Sequence, residues 1–383
     1  MLAYLLPVSI SCLLGFFSIG KLPKYSPQIV SIVVFLGAFV FCGGYMTGSD
    51  WRNYEVIYTH ANWSLLSTYE HEKGFYFYVC LMKTLGFGFF PFLILTKFIV
   101  FIIITKFIYR YADDFYIAFA IFLMTRGMSL FVDNPFRYMI ALGICMYAIE
   151  AAMQKKMGKF IIFCSIAFFF HISSLVIGIT IFFRHIRINK FILIILYCLL
   201  FFLVNPSNSV YFIERFYPDI ALLLGRYYNN AELVTFSLFS IGRIMGLIFF
   251  LIIVINKEVI MKKKYGEELY SIAILFFFFN IFSYALPTLH RLAMYYEPVF
   301  AVTLSIVLVN IIKYKKIVRV FVFMYLIMSF CSNMYVSYTY IPYSNYFIYC
   351  ALGREYDFDY RSNFNKNKYF ERTGKNPDGI WSD

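Results

Sequence analysis

Two arginines inside strongly apolar stretches are the first residues of this chain that could do chemistry. Arg126 follows the apolar run Ile121–Thr125, and Arg137 follows Asp133–Pro135 at the start of another apolar run. A charge at the centre of a bilayer costs about 2.5–3.5 kcal/mol, so such residues usually have a partner. Guanidinium groups bind phosphate oxygens through paired hydrogen bonds, and two of them in one turn would suit a pyrophosphate. The alternatives are that both side chains reach the membrane surface, or that Arg137 pairs with Asp133.

Two further arginines are candidates for the same anion. Arg243 lies about two turns into the apolar stretch that begins near Ser240, where reaching the surface is harder. A functional role or an internal ion pair is therefore favoured over a side chain that reaches the membrane surface. Arg291 follows His290 at the start of another apolar stretch, and its alternative is an ordinary interfacial arginine beside an aromatic belt. The predicted pyrophosphate-binding residues are Arg126, Arg137, Arg243 and Arg291.

His171 is the candidate general base. It stands between three phenylalanines and Ile172-Ser173-Ser174. A neutral imidazole accepts a proton near physiological pH, whereas a lone histidine in an apolar run is more often a hydrogen-bonded core residue. A Ser-His-Asp arrangement is disfavoured because the chain has no nucleophile elbow. We predict that His171, Arg137 and Arg291 are catalytic, with Asp50 as a weaker alternative base.

A polar and aromatic stretch, Gly48–Tyr54, has the residue types that bind sugars. Aromatic faces stack on sugar C–H surfaces, while carboxylates and amides bind hydroxyl groups. The alternative is a Trp/Tyr belt at the membrane interface. A metal site in Glu70–Glu72 is disfavoured, because three ligands on one short loop have no partner cluster. The predicted sugar-binding residues are Asp50, Trp51, Arg52, Tyr54 and Glu72, and no metal or cofactor is predicted.

The composition shows what must position these residues. Of 383 residues, 61% are hydrophobic and 14% are charged, and the mean hydropathy is +0.71. These values exclude an ordinary soluble protein or a disordered chain and predict an all-α polytopic membrane protein with about 10–12 transmembrane helices. The net charge of +13 is explained by basic loops rather than by nucleic acid. The predicted spans are 1–19, 28–44, 89–109, 115–132, 136–153, 191–204, 237–255, 269–287, 292–312 and 318–334.

Basic residues in short loops predict the orientation. Lys/Arg clusters such as Lys155–Lys159 should be cytoplasmic, and the loops 45–73 and 205–236, which are poorer in Lys and Arg, should be exterior. This gives one transmembrane domain, 1–334, and an exterior polar and aromatic tail, 335–383.

Two apolar stretches, 74–88 and 160–183, are difficult to place as full crossings. Basic clusters flank 160–183 on both sides, yet one crossing would put its ends on opposite sides of the membrane. A re-entrant hairpin of two short helices, with its tip near His171–Ser174, resolves this conflict. Non-helical backbone at membrane depth is tolerated only beside protein or a wet cavity, so the hairpin would mark a cavity.

In this order, several short motifs resemble the bacterial Wzy/EpsG-type polysaccharide polymerases. They cover most of the chain from about residue 45 to 300, although the position after Arg137, often Gln in that pattern, is Tyr138. The resemblance implies a GT-C-like helical fold in the bacterial inner membrane. The matching pieces are Gly48-Ser49-Asp50 with Tyr54, Glu72-Lys73-Gly74-Phe75, Arg137 with Ala141, His171–Leu175, and Arg291 with Tyr295-Tyr296.

The resemblance also implies an activity and its partners. The protein would join oligosaccharide repeat units, carried on undecaprenyl pyrophosphate, into O-antigen or exopolysaccharide at the periplasmic face. Membrane lipid and a chain-length regulator protein are the other candidate partners. Rival functions are a lipid-linked oligosaccharide flippase, an O-antigen ligase and a non-catalytic scaffold. A flippase should show internal symmetry between its halves, which is not visible in the sequence.

Overall fold

A computed structural model describes residues 1–18, 26–69, 72–183, 185, 188–204, 215, 239–284, 289–311 and 316–374. The predicted exterior loop 205–236 lies outside this part of the chain, apart from Arg215, as do Glu70 and His71. The helices are α1 Leu2–Ser18, α2 Pro27–Cys42, α3 Trp51–His60, α4 Lys73–Thr84, α5 Phe89–Tyr111, α6 Phe115–Phe122, α7 Phe136–Met153, α8 Met157–Phe170, α9 Thr180–Phe183, α10 Lys190–Leu203, α11 Ile241–Ile255, α12 Lys257–Met261, α13 Gly266–Phe282, α14 His290–Met294, α15 Glu297–Ile311, α16 Lys316–Val336, α17 Tyr346–Ala351 and α18 Phe358–Thr373.

These helices confirm the predicted all-α polytopic membrane class. Each predicted span overlaps a helix, as expected for segments whose backbone groups must be satisfied without water. Within the described residues, four helical segments are long and apolar enough to cross a bilayer: Phe89–Tyr111, Phe115–Val132, Phe136–Met153 and Ile317–Tyr335. Most of the stretch 74–88 lies in α4, which ends at Thr84; its 12 residues extend about 18 Å and cannot cross about 30 Å of hydrocarbon.

The chain forms two compact units, residues 1–175 with 308–382 and residues 176–307. In the first unit, α7 and α8 reverse direction over a short turn in which Lys155 has a left-handed φ of 59°. The segment after α6, Leu123–Val132, is a π-helix, and Asp133 N continues its wider hydrogen-bonding pattern to Met128 O. A π-helix is rare and often occurs at functional sites.

The apolar stretch 160–183 is interrupted where the sequence predicts. Helix α8 ends at Phe170, and His171 is extended (φ −161°, ψ 124°). A 3₁₀-helix, Ile172–Ile179, then leads to α9. The break at His171 therefore agrees with two short helices, while their re-entrant path stays a prediction.

The second unit has a core of aromatic rings. Tyr197 of α10 stacks on Phe250 of α11 with centroids 3.9 Å apart, and Phe276 of α13 stacks on Phe300 of α15 at 4.6 Å. The Tyr296 hydroxyl donates a hydrogen bond to the Val176 carbonyl, 2.8 Å away. These contacts hold the described helices of this unit together.

The C-terminal tail belongs to the first unit and closes over the loop Gly43–Asp50, which precedes α3. Three backbone hydrogen bonds join them: Tyr45 N to Ser344 O (3.3 Å), Gly48 N to Thr339 O (3.0 Å) and Tyr346 N to Gly43 O (2.8 Å). Arg361 of α18 also forms a bidentate ion pair with Glu55, with Nη1–Oε2 and Nη2–Oε1 distances of 2.7 and 2.8 Å. The tail is thus a packed part of the first unit.

Replacing Arg361 with alanine is expected to lower the free energy of unfolding by about 3 kcal/mol, the lower end of the range for a buried ion pair. Arg361 is 6% exposed and the Glu55 side chain 17%, so the substitution leaves a largely buried carboxylate without its cation. Thermal unfolding of the purified protein measures the loss. Lys368→Ala is the matched control, because Lys368 and its partner Glu371 are exposed and such pairs contribute little. Equal losses in the two variants would contradict the prediction.

Candidate active site

Glu72 lies between Arg137 and His171, two of the three residues that the sequence predicts to be catalytic. One carboxylate oxygen, Oε2, accepts from the guanidinium of Arg137. The other, Oε1, lies 2.7 Å from His171 Nδ1. Glu72 was expected to bind sugar. The structure instead places it as the link between Arg137 and His171, which are predicted from separate parts of the sequence.

This arrangement fixes the imidazole tautomer. Burial, the largest single effect, raises the pKa of Glu72, but a backbone hydrogen bond, the charge of Arg137 and the His171 hydrogen bond together hold it below its ordinary value. An ionised carboxylate only accepts hydrogen bonds, so Nδ1 of His171 must donate. The basic lone pair is then on Nε2, which is the arrangement of a carboxylate-oriented general base.

Three local features bring these residues together. Arg137 is the second residue of α7, after Pro135, and Glu72 precedes the first residue of α4. Gly74 lets α4 approach the end of α8, because a Cβ at Gly74 would lie 2.7 Å from the carbonyl oxygen of Phe169. The helix N-termini of α4 and α7 add positive potential that favours an anion.

Aromatic side chains surround the Arg137–Glu72–His171 cluster. Tyr54 and Tyr69 interact electrostatically with Arg137, and the Tyr138 ring meets the His171 ring edge to face, with centroids 5.9 Å apart. The side chains of Arg137, Glu72 and His171 are 26%, 15% and 13% exposed. The cluster is therefore enclosed but reachable by a ligand.

Asp133 does not pair with Arg137, which was the alternative from the sequence. Its carboxylate accepts a hydrogen bond from the Tyr340 hydroxyl at 2.5 Å, and its backbone carbonyl accepts from Asp50 N at 3.0 Å. Burial raises the pKa of Asp133 to about 7, with a further increase from the charge of Asp50 and an opposing effect of Tyr340.

The pKa of Asp133 predicts a pH dependence of stability. The folded-state pKa is above the unfolded value of about 4, so the folded protein binds more protons between these values. The stability contributed by the protonated carboxyl is fully present below about pH 4 and is lost as pH rises through about 7. We expect the melting temperature of the wild-type protein to fall more between pH 5 and pH 8 than that of Asp133→Asn. Parallel pH curves would contradict this.

Trp51 and Arg52 both contact the C-terminal tail. The Trp51 ring is 1% exposed and lies between Phe90, Phe358 and the guanidinium of Arg361. Arg52 donates to the hydroxyl and carbonyl oxygens of Ser362, at 2.9 and 2.8 Å. In this arrangement, the Trp51 ring is covered by protein where a sugar would have to stack.

Three arginines predicted to bind pyrophosphate lie in different surroundings. Arg126 is half-buried in the π-helix. Arg243, in the second unit, donates to the carbonyls of Phe201 and, at 2.6 Å, Val204, which end α10. These hydrogen-bond acceptors are backbone carbonyls, so the contacts are those of a helix cap and not of the internal ion pair considered from the sequence. Binding of pyrophosphate by Arg243 stays a prediction. Arg291 is exposed on α14, also in the second unit.

The role of Glu72 was missed because its partners are 65 and 99 residues away. The neighbouring glycine, Gly74, was a usable signal, because a glycine at a helix start often marks a close approach of another backbone. Asp133 and Tyr340 were missed for the same reason, since they are 207 residues apart.

The chain was compared with curated proteins, solved structures and protein-family models. Neither the comparison with curated proteins nor that with solved structures gave a match. A family model, the EpsG family, matches residues 28–346. This range contains the whole Arg137–Glu72–His171 cluster, and family membership supports a role of the polysaccharide polymerase type. The chain therefore belongs to the EpsG family.

Proposed function

We propose that this protein is a glycosyltransferase that joins oligosaccharide repeat units, carried on undecaprenyl pyrophosphate, into O-antigen or exopolysaccharide. The observation that carries the proposal is the Arg137–Glu72–His171 cluster, which pairs an oriented base with a cation. The reaction needs both: a group that takes a proton from the attacking hydroxyl and a charge that stabilises the leaving pyrophosphate.

The bond changes follow from these two roles. An acceptor hydroxyl oxygen attacks the anomeric carbon of the donor and forms the new glycosidic bond. The bond from that carbon to the pyrophosphate oxygen breaks, and its electron pair leaves with the pyrophosphate. The hydroxyl proton goes to Nε2 of His171, while Arg137 offsets the charge on the leaving group. Pyrophosphate is a good leaving group, so the step requires no ATP and no covalent enzyme intermediate.

The exterior, periplasmic position of the site is part of the proposal. The basic cluster Lys155–Lys159 lies at the opposite end of α7 and α8 from Arg137 and His171. Basic loops are retained in the cytoplasm, so Lys155–Lys159 is expected on the cytoplasmic side. The opposite ends of α7 and α8, which carry Arg137 and His171, are then on the exterior side. A periplasmic site has direct access to repeat units that have already crossed the membrane.

Electrophoresis of surface polysaccharide from a strain that lacks the gene tests the proposal. A polymerase predicts a ladder that collapses to one repeat unit and returns with the wild-type gene. Loss of all surface glycan would instead indicate a flippase, and free lipid-linked polymer would indicate a ligase. Either of these results would overturn the proposal.

A further inference from the structure

A cavity of about 360 Å³ lies at the other end of the first unit, away from the candidate active site. It is formed where α5 and α7 end and α8 begins. Arg137 is near the start of α7, and Glu150 of the cavity is near its end. The 18 residues of α7 extend about 27 Å, which is close to the hydrocarbon thickness of a bilayer. The cavity and the active site thus belong to opposite faces of the membrane.

The polar lining of this cavity is mainly cationic. Arg110, Lys156 and Lys159 contribute three cations, and Glu150 contributes one carboxylate. The Glu150 carboxylate already accepts hydrogen bonds from the guanidinium of Arg110 and, at 2.9 Å, from the Tyr111 hydroxyl. The two lysines are exposed, and Lys156 Nζ donates to the amide oxygen of Gln154 at 2.8 Å. The cavity therefore has an excess of positive charge that suits an anion.

The rest of the lining is apolar and reaches the lipid-exposed surface. The rings of Tyr147 and Phe163 stack with centroids 5.4 Å apart. Tyr147 is 39% exposed and Ile162 57% exposed, on helices that cross or enter the membrane. A free phosphate ion would use the cations but not this apolar surface, whereas a phospholipid would use both.

We propose that this cavity binds the phosphate of an anionic phospholipid, with the acyl chains along Tyr147 and Ile162. The lipid would come from the leaflet opposite to the active site, which the positive-inside rule identifies as the cytoplasmic one. The proposal does not depend on the polymerase activity, because it uses a different end of the helices and different residues.

Nanodiscs containing the full-length protein test this site. Phosphatidylglycerol titrated into phosphatidylcholine nanodiscs is expected to raise the melting temperature of the wild-type protein. The Lys156→Gln/Lys159→Gln variant is expected to bind phosphatidylglycerol about 30-fold more weakly, from the usual contribution of each basic residue near an anionic surface. The matched control is Lys262→Gln/Lys264→Gln, which removes two exposed lysines of another basic cluster and should keep wild-type binding.

Three outcomes would overturn the proposal. Equal weakening in both double variants would indicate attraction to the basic surface as a whole. Unchanged binding in the Lys156/Lys159 variant would exclude the cavity. Inorganic phosphate that stabilises the protein in phosphatidylcholine nanodiscs as much as phosphatidylglycerol does would show that the site takes a soluble phosphate instead.

Discussion

A His171→Ala protein is expected to reach the membrane in normal amount and to make only single-repeat glycans. Without the imidazole, no oriented base takes the proton of the acceptor hydroxyl. Arg137→Ala should have the same effect, because the leaving pyrophosphate loses its cation. Removing one preorganised group of this kind typically costs about 10²–10³ in rate. The measurements are electrophoresis of surface polysaccharide and an immunoblot of the membranes.

A matched control for His171 is present in the second unit. His185 also pairs with a glutamate, with its Nδ1 3.3 Å from Glu267 Oε2. His185→Ala removes an imidazole of the same pairing type and should leave the ladder at wild-type length. Wild-type chain lengths in both Arg137→Ala and His171→Ala would refute the assigned site.

Glu72→Gln separates the linking role of Glu72 from the sugar-binding role expected from the sequence. A neutral amide has one oxygen, so it cannot accept from Arg137 and His171 with both of its terminal atoms. Residues that act as a unit lose activity non-additively. We expect Glu72→Gln/His171→Ala to be no less active than His171→Ala alone. If the loss of activity in the double variant equals the product of the losses in the two single variants, Glu72 acts independently of His171, as a sugar-binding residue would.

Gly48→Ala is expected to destabilise the protein by more than about 4 kcal/mol, a size reserved for severe local conflicts. Gly48 has a left-handed φ of 89°, and a Cβ there would lie 1.7 Å from the carbonyl oxygen of Val132. Moving either backbone segment to relieve the clash would cost stability. Val132 is the last residue of the π-helix, and Gly48 N donates a hydrogen bond to Thr339 O. Thermal unfolding and membrane yield measure the effect.

Gly86→Ala is the control that isolates this steric conflict from backbone strain. Gly86 has a similar φ of 83°, but no atom lies within 4 Å of its added Cβ. The left-handed conformation alone should cost about 1–2 kcal/mol. Similar losses at Gly48 and Gly86 would show that the contact with Val132 is not decisive.

The sequence predicted the helices well, because a membrane leaves an apolar segment few alternatives to a helix. It also identified Arg137 and His171, since a charge or an imidazole in an apolar run is conspicuous on its own. The pairing of these residues was not predictable, because Glu72 becomes their common partner only when α4, α7 and α8 meet. Gly74 marks a close approach at the start of α4, but it does not say which segment of the chain approaches.

Trp51 and Arg243 were also predicted from their residue types, and the structure shows partners for them that the sequence does not. Their residue types favour ligand binding, and the sequence does not reveal that Arg361 will cover Trp51 or that α10 will end beside Arg243. A tryptophan or arginine is equally suited to packing and to recognition. Only the partners in the fold decide between these roles.

The ion pair between Glu55 and Arg361 also limits how the chain can thread the bilayer. Two residues in direct contact outside the hydrocarbon must be on the same side, so the chain between them crosses an even number of times. The predicted spans from 89–109 to 318–334 are eight in number and satisfy this condition. If these eight spans all cross, a complete additional crossing at 160–183 would make the count odd, so the contact between the loop and the tail favours a segment there that enters and returns.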